Sequence, residues 1–195
     1  MVLTSDIDES VEPGDTPEEY VLRLARDKSN SITSSISTHQ VVIAADTAVV
    51  DGNQILGKPV NKDEALKMLR TLRARRHHVY TGLAVRDSLS GEVIDDLCVT
   101  EVRMRSYQES EIEEYVASGD PMDRAGAYAI QNSGFNPVHE ITGCYSNVVG
   151  LPLCHLTGLL QQMGTDINET ATRGCRTAHG YNCQLIEEIQ GYNSH

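Results

Sequence analysis

An apolar run in the first third of the chain contains a single carboxylate. Residues 41–50, VVIAADTAVV, predict a buried β-strand, and Asp51-Gly52 predicts a tight turn into a second strand at 53–56. Asp46 directly follows the apolar residues 41–45, so we expect it at the carboxyl end of a central strand, where open α/β sheets bind their ligands. Its role there is either functional or structural, as a cap for the following turn.

Helical and strand patterns alternate along the chain. Thr16 and Glu19 form a capping box that predicts a helix over 16–28, and residues 29–38 are expected to be a loop or a frayed helix end. Further helices are predicted over 61–72, 109–117 and 152–160, and further strands over 77–85 and 94–104. The segment 122–150 lacks periodicity, which predicts a loop region of functional type. We therefore expect an α/β fold with a mixed sheet.

Length and composition narrow the class of protein. The 195 residues fit one domain, and 28 acidic against 16 basic side chains give a formal net charge of −12. Such a surface repels polyanions, which argues against a nucleic-acid partner. It still allows a small phosphate-bearing substrate, because carboxylates can hold Mg²⁺ or Mn²⁺ and the metal can meet the phosphates.

The compartment follows from the cysteines and from the apolar pattern. The five cysteines form no CxxC pair, which favours reduced thiols. The chain begins MVLTSDIDES, without a basic and apolar leader, and no apolar run reaches the length of a membrane span. We expect a soluble, cytoplasmic protein with no membrane partner.

Two lysines lie in positions where a cation needs an explanation. Lys28 continues the apolar face of the first predicted helix, and a charge on that face is costly unless it has a partner. Lys58 lies in the tripeptide GKP at 57–59, which combines a glycine for close approach, a cation for phosphate and a stiffening proline. A surface lysine beside a turn is nevertheless the commoner explanation of that tripeptide.

Two polar segments are candidates for the remaining chemistry. The segment SDIDES supplies three carboxylates: Asp6, Asp8 and Glu9. They form either a solvated acidic loop or a second carboxylate ligand for a metal. MDRAGAYAIQ, at 122–131, joins Asp123 to Gln131 through small residues, which predicts close approach of the backbone to a ligand. Because an amide both donates and accepts hydrogen bonds, Gln131 suits contact with the edge of a nucleobase.

Three further observations on the sequence give weaker or negative evidence about function. The segment CRTAHGYNC at 175–183 spaces two cysteines and a histidine like metal ligands on a helix, but Gly180 opposes a helix and a fourth ligand is missing. His77-His78 precedes a strand and is predicted to be a polar rim rather than a metal site. The chain contains no GxxxxGK[ST], GxGxxG, GxSxG or HExxH motif, which excludes the common nucleotide-kinase, dehydrogenase, esterase and zincin classes.

Taken in order, several segments resemble one family. These are DIDES, PEEYVLRLARDK, AADTAVV, ILGKP, EALKMLRTL, HHVYTGLAV, DRAGAYAIQ and NVVGLPL, which span about residues 5 to 160. Together they resemble the Maf family of nucleotide pyrophosphatases. The resemblance implies an elongated mixed sheet with flanking helices, similar to the inosine-triphosphate pyrophosphatase fold, over residues 1–164. Residues 165–195 lie outside it and are expected to be a polar tail.

The resemblance also implies an activity. Family members hydrolyse a nucleoside triphosphate to the monophosphate and pyrophosphate with a divalent metal, Mg or Mn, and AYAIQ resembles the branch that acts on dTTP and UTP. By resemblance, Asp46 is the proton acceptor and, with Glu9, a metal ligand, and Thr47 and Gln131 select the base. By resemblance Lys58 is a second catalytic residue beside Asp46, and Lys28 and Asp123 lie around the nucleotide. It is also compatible with a homodimer.

One departure from the family bears on activity. Family members begin with a strand and a Ser- and Arg-rich segment of the type SxSPRR that contacts the triphosphate, and residues 1–195 contain neither. We expect either that the start codon is assigned too far downstream or that the product is truncated. A truncated product would have an unpaired sheet edge. The alternative to an active enzyme is then a catalytically inactive protein that still binds nucleotides.

Overall fold

The computed structural model describes residues 1–167, in which one sheet is flanked by helices. The strands are β1 (Val41–Asp51), β2 (Gln54–Leu56), β3 (Arg76–Asp87), β4 (Val93–Met104) and β5 (Val138–Thr142). The helices are α1 (Pro17–Thr33), α2 (Lys62–Leu72), α3 (Glu109–Ala117), α4 (Tyr145–Val149) and α5 (Leu153–Gln162). The strand order is β2-β1-β3-β4-β5, and all pairings among these strands are antiparallel. The predicted α/β class with flanking helices is confirmed.

Helix starts follow the capping patterns in the sequence. The Thr16 hydroxyl accepts a hydrogen bond from the Glu19 amide, and the Glu19 carboxylate accepts one from the Thr16 amide, which completes the predicted capping box of α1. At α2, Asn61 Oδ1 accepts a hydrogen bond of 2.9 Å from the Glu64 amide. The predicted bounds of α3 are those observed.

Two predicted loops contain regular structure. Helix α1 continues to Thr33 instead of ending near 28, with Ser29 fully buried and the Thr33 hydroxyl bonded to the Ser29 carbonyl. The predicted loop region 122–150 contains β5, α4 and two 3₁₀ helices, one ending at Asp123 and one from Ala125 to Ala127. These elements are too short to show a period in the sequence, because three to five residues cover little more than one turn or one repeat.

Each face of the sheet is covered by different helices. Residues directly opposite each other in an antiparallel pair point to the same face, and successive residues alternate between faces. Helix α1 covers the face of Gly82, where a Cβ would lie only 2.5 Å from the Val21 carbonyl oxygen. Val49 and Val79 lie on the other face, in the main apolar core with residues of α2 and α3, including the buried Leu69. No helix among residues 1–167 is both long and apolar enough to cross a membrane.

Strand β1 has an open edge along most of its length. It pairs with β3 from Val41 to Val50, whereas β2 pairs with β1 only over residues 49–51. Residues 41–48 therefore have a strand neighbour on one side, and no strand within 1–167 pairs with their other side. The main-chain N–H and C=O groups of alternate residues along this edge remain available for other partners.

Candidate active site

A cavity of about 340 Å³ lies at the open edge of β1. Its volume is within the range of about 300–1,000 Å³ that is usual for small-molecule sites. Seven residues predicted from the sequence line it: Glu9, Lys28, Asp46, Thr47, Lys58, Asp123 and Gln131. The cavity reaches both faces of the sheet, since Asp46 and Thr47 are successive residues of one strand. The fold therefore brings the seven predicted residues together in one cavity, and the role of each remains a prediction.

Asp46 lies in the middle of β1 and not at its carboxyl end, so that part of the prediction was wrong. The residue opposite Asp46 is Gly82, on the face that α1 covers. Because Gly82 has no side chain, the backbone of α1 lies directly on the sheet at this point. This close approach brings Lys28 to Asp46, and the Lys28 Nζ to Asp46 Oδ1 distance is 2.6 Å.

Lys28 also contacts a second carboxylate. Its Nζ lies 2.7 Å from Glu9 Oε1, so one ammonium group is shared by Glu9 and Asp46. Glu9 is held beside α1 because its carbonyl accepts a hydrogen bond of 2.9 Å from the Tyr20 hydroxyl. Lys28 thus has the partner that its place on the buried side of α1 requires.

Burial acts on the pKa of both Asp46 and Lys28. Burial raises the pKa of Asp46 above its usual value, and the hydrogen bond and charge of Lys28 offset only part of that shift. Burial lowers the pKa of Lys28, but its hydrogen bonds to Asp46 and Glu9 outweigh that effect and leave the pKa above its usual value. Asp46 is therefore a better proton acceptor than an exposed carboxylate.

Thr47 belongs to a hydrogen-bonded row on the opposite face. Its hydroxyl lies 2.9 Å from that of Thr81 on β3, and the Thr81 hydroxyl donates to the Asn147 carbonyl in α4 at 3.3 Å. The Asn147 side chain is fully buried and donates to the Val79 carbonyl at 3.0 Å. These bonds hold α4 against the sheet beside Thr47, so that Gly150, which follows α4, also lines the cavity.

The third side of the cavity joins the segment after β2 to the 3₁₀ helices. Lys58 Nζ is 2.6 Å from Asp123 Oδ1, and both side chains are largely exposed. The Gly126 amide donates to the Gly57 carbonyl at 3.0 Å, which fixes the two segments to each other. Gly126 has a φ of +66°, and a Cβ there would lie 2.8 Å from the Val49 side chain, so glycine suits both the backbone and the space.

Arg124 and Tyr128 are among the side chains that line the cavity without having been predicted from the sequence. Arg124 adds a third cation to Lys28 and Lys58, and its position directly after Asp123 in an otherwise small-residue segment was the available signal. Tyr128 forms part of the wall and is buried. Its aromatic side chain interrupts the same run of small residues, although no local pattern indicates which way it points.

His77 supports Tyr128 from behind the cavity and is not the polar rim that was predicted. Its Nε2 lies 2.8 Å from the Tyr128 hydroxyl, and only 1% of the residue is exposed. Within residues 1–167, its buried Nδ1 has no hydrogen-bond partner. Burial, with a smaller contribution from the charge of His78, lowers the pKa of His77 to about 4.

We expect His77 to make the protein sensitive to mild acid. Burial in the folded state favours the neutral His77 ring. The unfolded chain therefore takes up a proton on this ring as the pH falls below 6.5, whereas the folded protein does so only near pH 4. The free energy of unfolding should therefore lose about 3 kcal/mol between these values through this residue. Denaturant titrations of wild type and His77→Gln across this range measure the difference, and the variant should show the flatter profile. His139→Gln, at an exposed histidine, should keep the wild-type pH dependence; a wild-type profile in His77→Gln would contradict the assignment.

The remaining candidate metal ligands from the sequence differ in where they lie. Among the three carboxylates of 5–10, Glu9 lines the cavity, whereas Asp8 bonds to the Ser10 amide at 2.9 Å. The residues of the CRTAHGYNC segment at 175–183 lie outside the described residues. No cluster of three or more His, Cys, Asp or Glu side chains suited to a metal occurs within 1–167.

The fold and the cavity define an α/β protein with a charged, ligand-sized cleft at a sheet edge. A family model described as Maf-like protein matches residues 1–163, and the chain belongs to the Maf family. A relative from Anaeromyxobacter dehalogenans (strain 2CP-C), named dTTP/UTP pyrophosphatase, is 47% identical over 165 residues, which cover 84% of this chain and 82% of the relative. A relative of the same name from Clostridium botulinum (strain Okra / Type B1) is 43% identical over 170 residues, covering 86% and 88%.

Proposed function

We propose that this protein hydrolyses nucleoside triphosphates to the monophosphate and pyrophosphate, with a preference for dTTP and UTP. The observation that carries the proposal is the cluster of Asp46, Lys28 and Glu9, two carboxylates that share one ammonium group, in a ligand-sized cavity. Family membership and the names of its relatives support the reaction and the pyrimidine preference. The domain responsible is proposed to span 1–164, with 165–195 as a polar tail.

In the proposed mechanism Asp46 is the general base. Its carboxylate accepts the proton of the attacking water, and the pKa raised by burial favours that transfer. The proton acceptor must be ionised at the start, and in the protein without nucleotide the neighbouring Lys28 ammonium supports the ionised form. The cations of the cavity, Lys28, Lys58 and Arg124, offset the charge of the phosphates.

The donor set fits a divalent metal that is bound together with its substrate. Glu9 and Asp46 are adjacent carboxylates, and Mg²⁺ typically binds one or two carboxylates with substrate phosphates and water as its other ligands. Glu9 and Asp46 would therefore hold Mg²⁺ or Mn²⁺. When bound, the metal supplies positive charge to the phosphate oxygens.

Base recognition is proposed for the opposite side of β1. Thr47 and Gln131 both line the cavity, and both can form hydrogen bonds with the edge of a pyrimidine. The side chains of Asp46 and Thr47 point to opposite faces of β1. This supports a division of the site, with the phosphates on the α1 side and the base on the α4 side.

The setting of the reaction is proposed to be the cytoplasm. Cys98, Cys144 and Cys154 are buried thiols, which is usual for a reducing compartment. The negative net charge supports a small-molecule substrate over a nucleic acid. A homodimer is proposed from the family resemblance alone.

The test is pyrophosphate release from a panel of nucleoside triphosphates with Mg²⁺ or Mn²⁺. We expect turnover of dTTP and UTP at least about tenfold faster than that of dCTP, dATP and dGTP, since a hydrogen-bonding site discriminates strongly against the wrong polar edge. Chelation of the metal with EDTA should abolish release. Thermal stabilisation by dTTP without any pyrophosphate would instead support an inactive nucleotide-binding protein.

A further inference from the structure

A single ammonium group lies between the two carboxylates that would hold the metal. Lys28 Nζ is 2.7 Å from Glu9 Oε1 and 2.6 Å from Asp46 Oδ1. Lys28 belongs to α1, Asp46 to β1 and Glu9 to the N-terminal segment, so three parts of the chain meet at this nitrogen. The ammonium joins the two carboxylates and offsets their mutual repulsion, which is also what a divalent cation would do in the same place.

The ammonium and a divalent cation cannot occupy this position together. Mg²⁺ held by both Glu9 and Asp46 would need the same carboxylate oxygens that Lys28 Nζ now contacts. The Asp46 side chain is only 10% exposed. Water therefore screens the repulsion between the two cations poorly on the Asp46 side, whereas the Glu9 side chain is 51% exposed and screening there is stronger. Lys28 has to move away before the metal can bind both carboxylates.

We propose that Lys28 is a removable counter-ion that keeps the metal position closed until a triphosphate enters the cavity. This inference rests on the proposed function, because the phosphates are the partners that draw the ammonium away. Without nucleotide, Lys28 holds Glu9 and Asp46 in position and competes with the metal for them. With nucleotide, Lys28 turns to the phosphates and the carboxylates become available, so metal and substrate bind together.

Lys58 provides a matched comparison within the same cavity. It also forms an ion pair with a carboxylate at 2.6 Å, but its partner is Asp123, and the two side chains are 59% and 86% exposed. Removal of the Lys58 charge alters the field in the cavity without opening the space between Glu9 and Asp46. Exposed pairs of this kind are largely screened by water.

The experiment is a titration of the nucleotide-free protein with Mn²⁺, in which electron paramagnetic resonance measures the free ion. Wild type, Lys28→Met and Lys58→Met are compared at constant ionic strength, after circular dichroism has verified folding. We expect Lys28→Met to bind Mn²⁺ at least about tenfold more tightly than wild type, and Lys58→Met to remain within about threefold, since Coulomb repulsion falls with distance and with screening. Lys28→Gln, whose neutral amide still donates a hydrogen bond, is a second variant should the methionine protein fail to fold, and it should also bind more tightly.

Two results would overturn the inference. One is Mn²⁺ affinity in both Lys28 variants that is equal to or weaker than that of wild type. The other is an equal gain in Lys58→Met, which would indicate a general effect of net charge instead of an occupied position. Pyrophosphate release by the wild-type protein is measured separately. A failure of the Mn²⁺ prediction therefore leaves the proposed function standing. A wild-type protein without turnover contradicts the proposed function, whatever the Mn²⁺ affinities are.

Discussion

Asp46→Asn is expected to lower the rate of pyrophosphate release from dTTP by about 10²- to 10⁴-fold, the usual contribution of a general base. Asparagine has nearly the same shape as aspartate but cannot accept the proton of water at neutral pH. The loss should appear mainly in kcat, because Lys28, Lys58 and Arg124 remain in the cavity to bind phosphates. In wild type, activity should fall on the acid side at a higher pH than an exposed aspartate would give, because burial raises the pKa of Asp46.

The matched control is Asp95→Asn. Asp95 also pairs with a cation of α1, since its carboxylate lies 2.6 Å from Arg26 Nε, but it lies outside the cavity. We expect this variant to retain activity within about twofold, because exposed ion pairs contribute little. Comparable activity of Asp46→Asn and wild type would remove Asp46 from the mechanism.

Gly82→Ala is expected to destabilise the protein by about 1–3 kcal/mol or more and to reduce activity at the same time. The new Cβ would lie 2.5 Å from the Val21 carbonyl oxygen and 2.8 Å from the Leu22 amide nitrogen. Both contacts are with backbone atoms, which cannot rotate away, so α1 must shift from the sheet. Because Gly82 lies opposite Asp46, the shift also separates Lys28 from Asp46. Urea denaturation and pyrophosphate release measure the two effects.

Gly158→Ala is the control for the Gly82 prediction. Gly158 lies within α5, and a Cβ there would meet nothing within 4 Å. Alanine should therefore stabilise the protein by about 0.5–1 kcal/mol, through the lower conformational entropy of the unfolded chain. An unfolding free energy of Gly82→Ala equal to that of wild type would mean that α1 does not rest on the sheet at this point.

Local interactions made part of the fold predictable. The starts of α1 and α2 follow from Thr16 with Glu19 and from Asn61 with Glu64, because a cap depends on residues three apart in the chain. Strand β1 was equally accessible, since its apolar run and the turn that follows it are also local features. The charge on the apolar face of α1 correctly indicated that Lys28 needs a partner, although it could not identify Glu9 and Asp46.

Elements held by distant contacts were not predictable in the same way. Helix α4 has five residues, and its Asn147 donates to the Val79 carbonyl on β3 and to the Thr100 hydroxyl on β4. These bonds join residues far apart in sequence, so no local sequence pattern predicts them. The burial of His77 is a similar case, because its contact with Tyr128 depends on how the 3₁₀ segments fold back over the sheet.

The residue types of the site, namely carboxylates, lysines, a threonine and an amide, were visible in recognisable segments of the chain. Packing of the chain placed Asp46 in mid-strand at an open edge, with Lys28 and Glu9 on one face and Thr47 on the other. This arrangement arises because the strand register places Gly82 opposite Asp46, and the absence of a Gly82 side chain allows α1 to approach. Residue types are local properties, whereas a shared ammonium between two distant carboxylates exists only once the chain is packed.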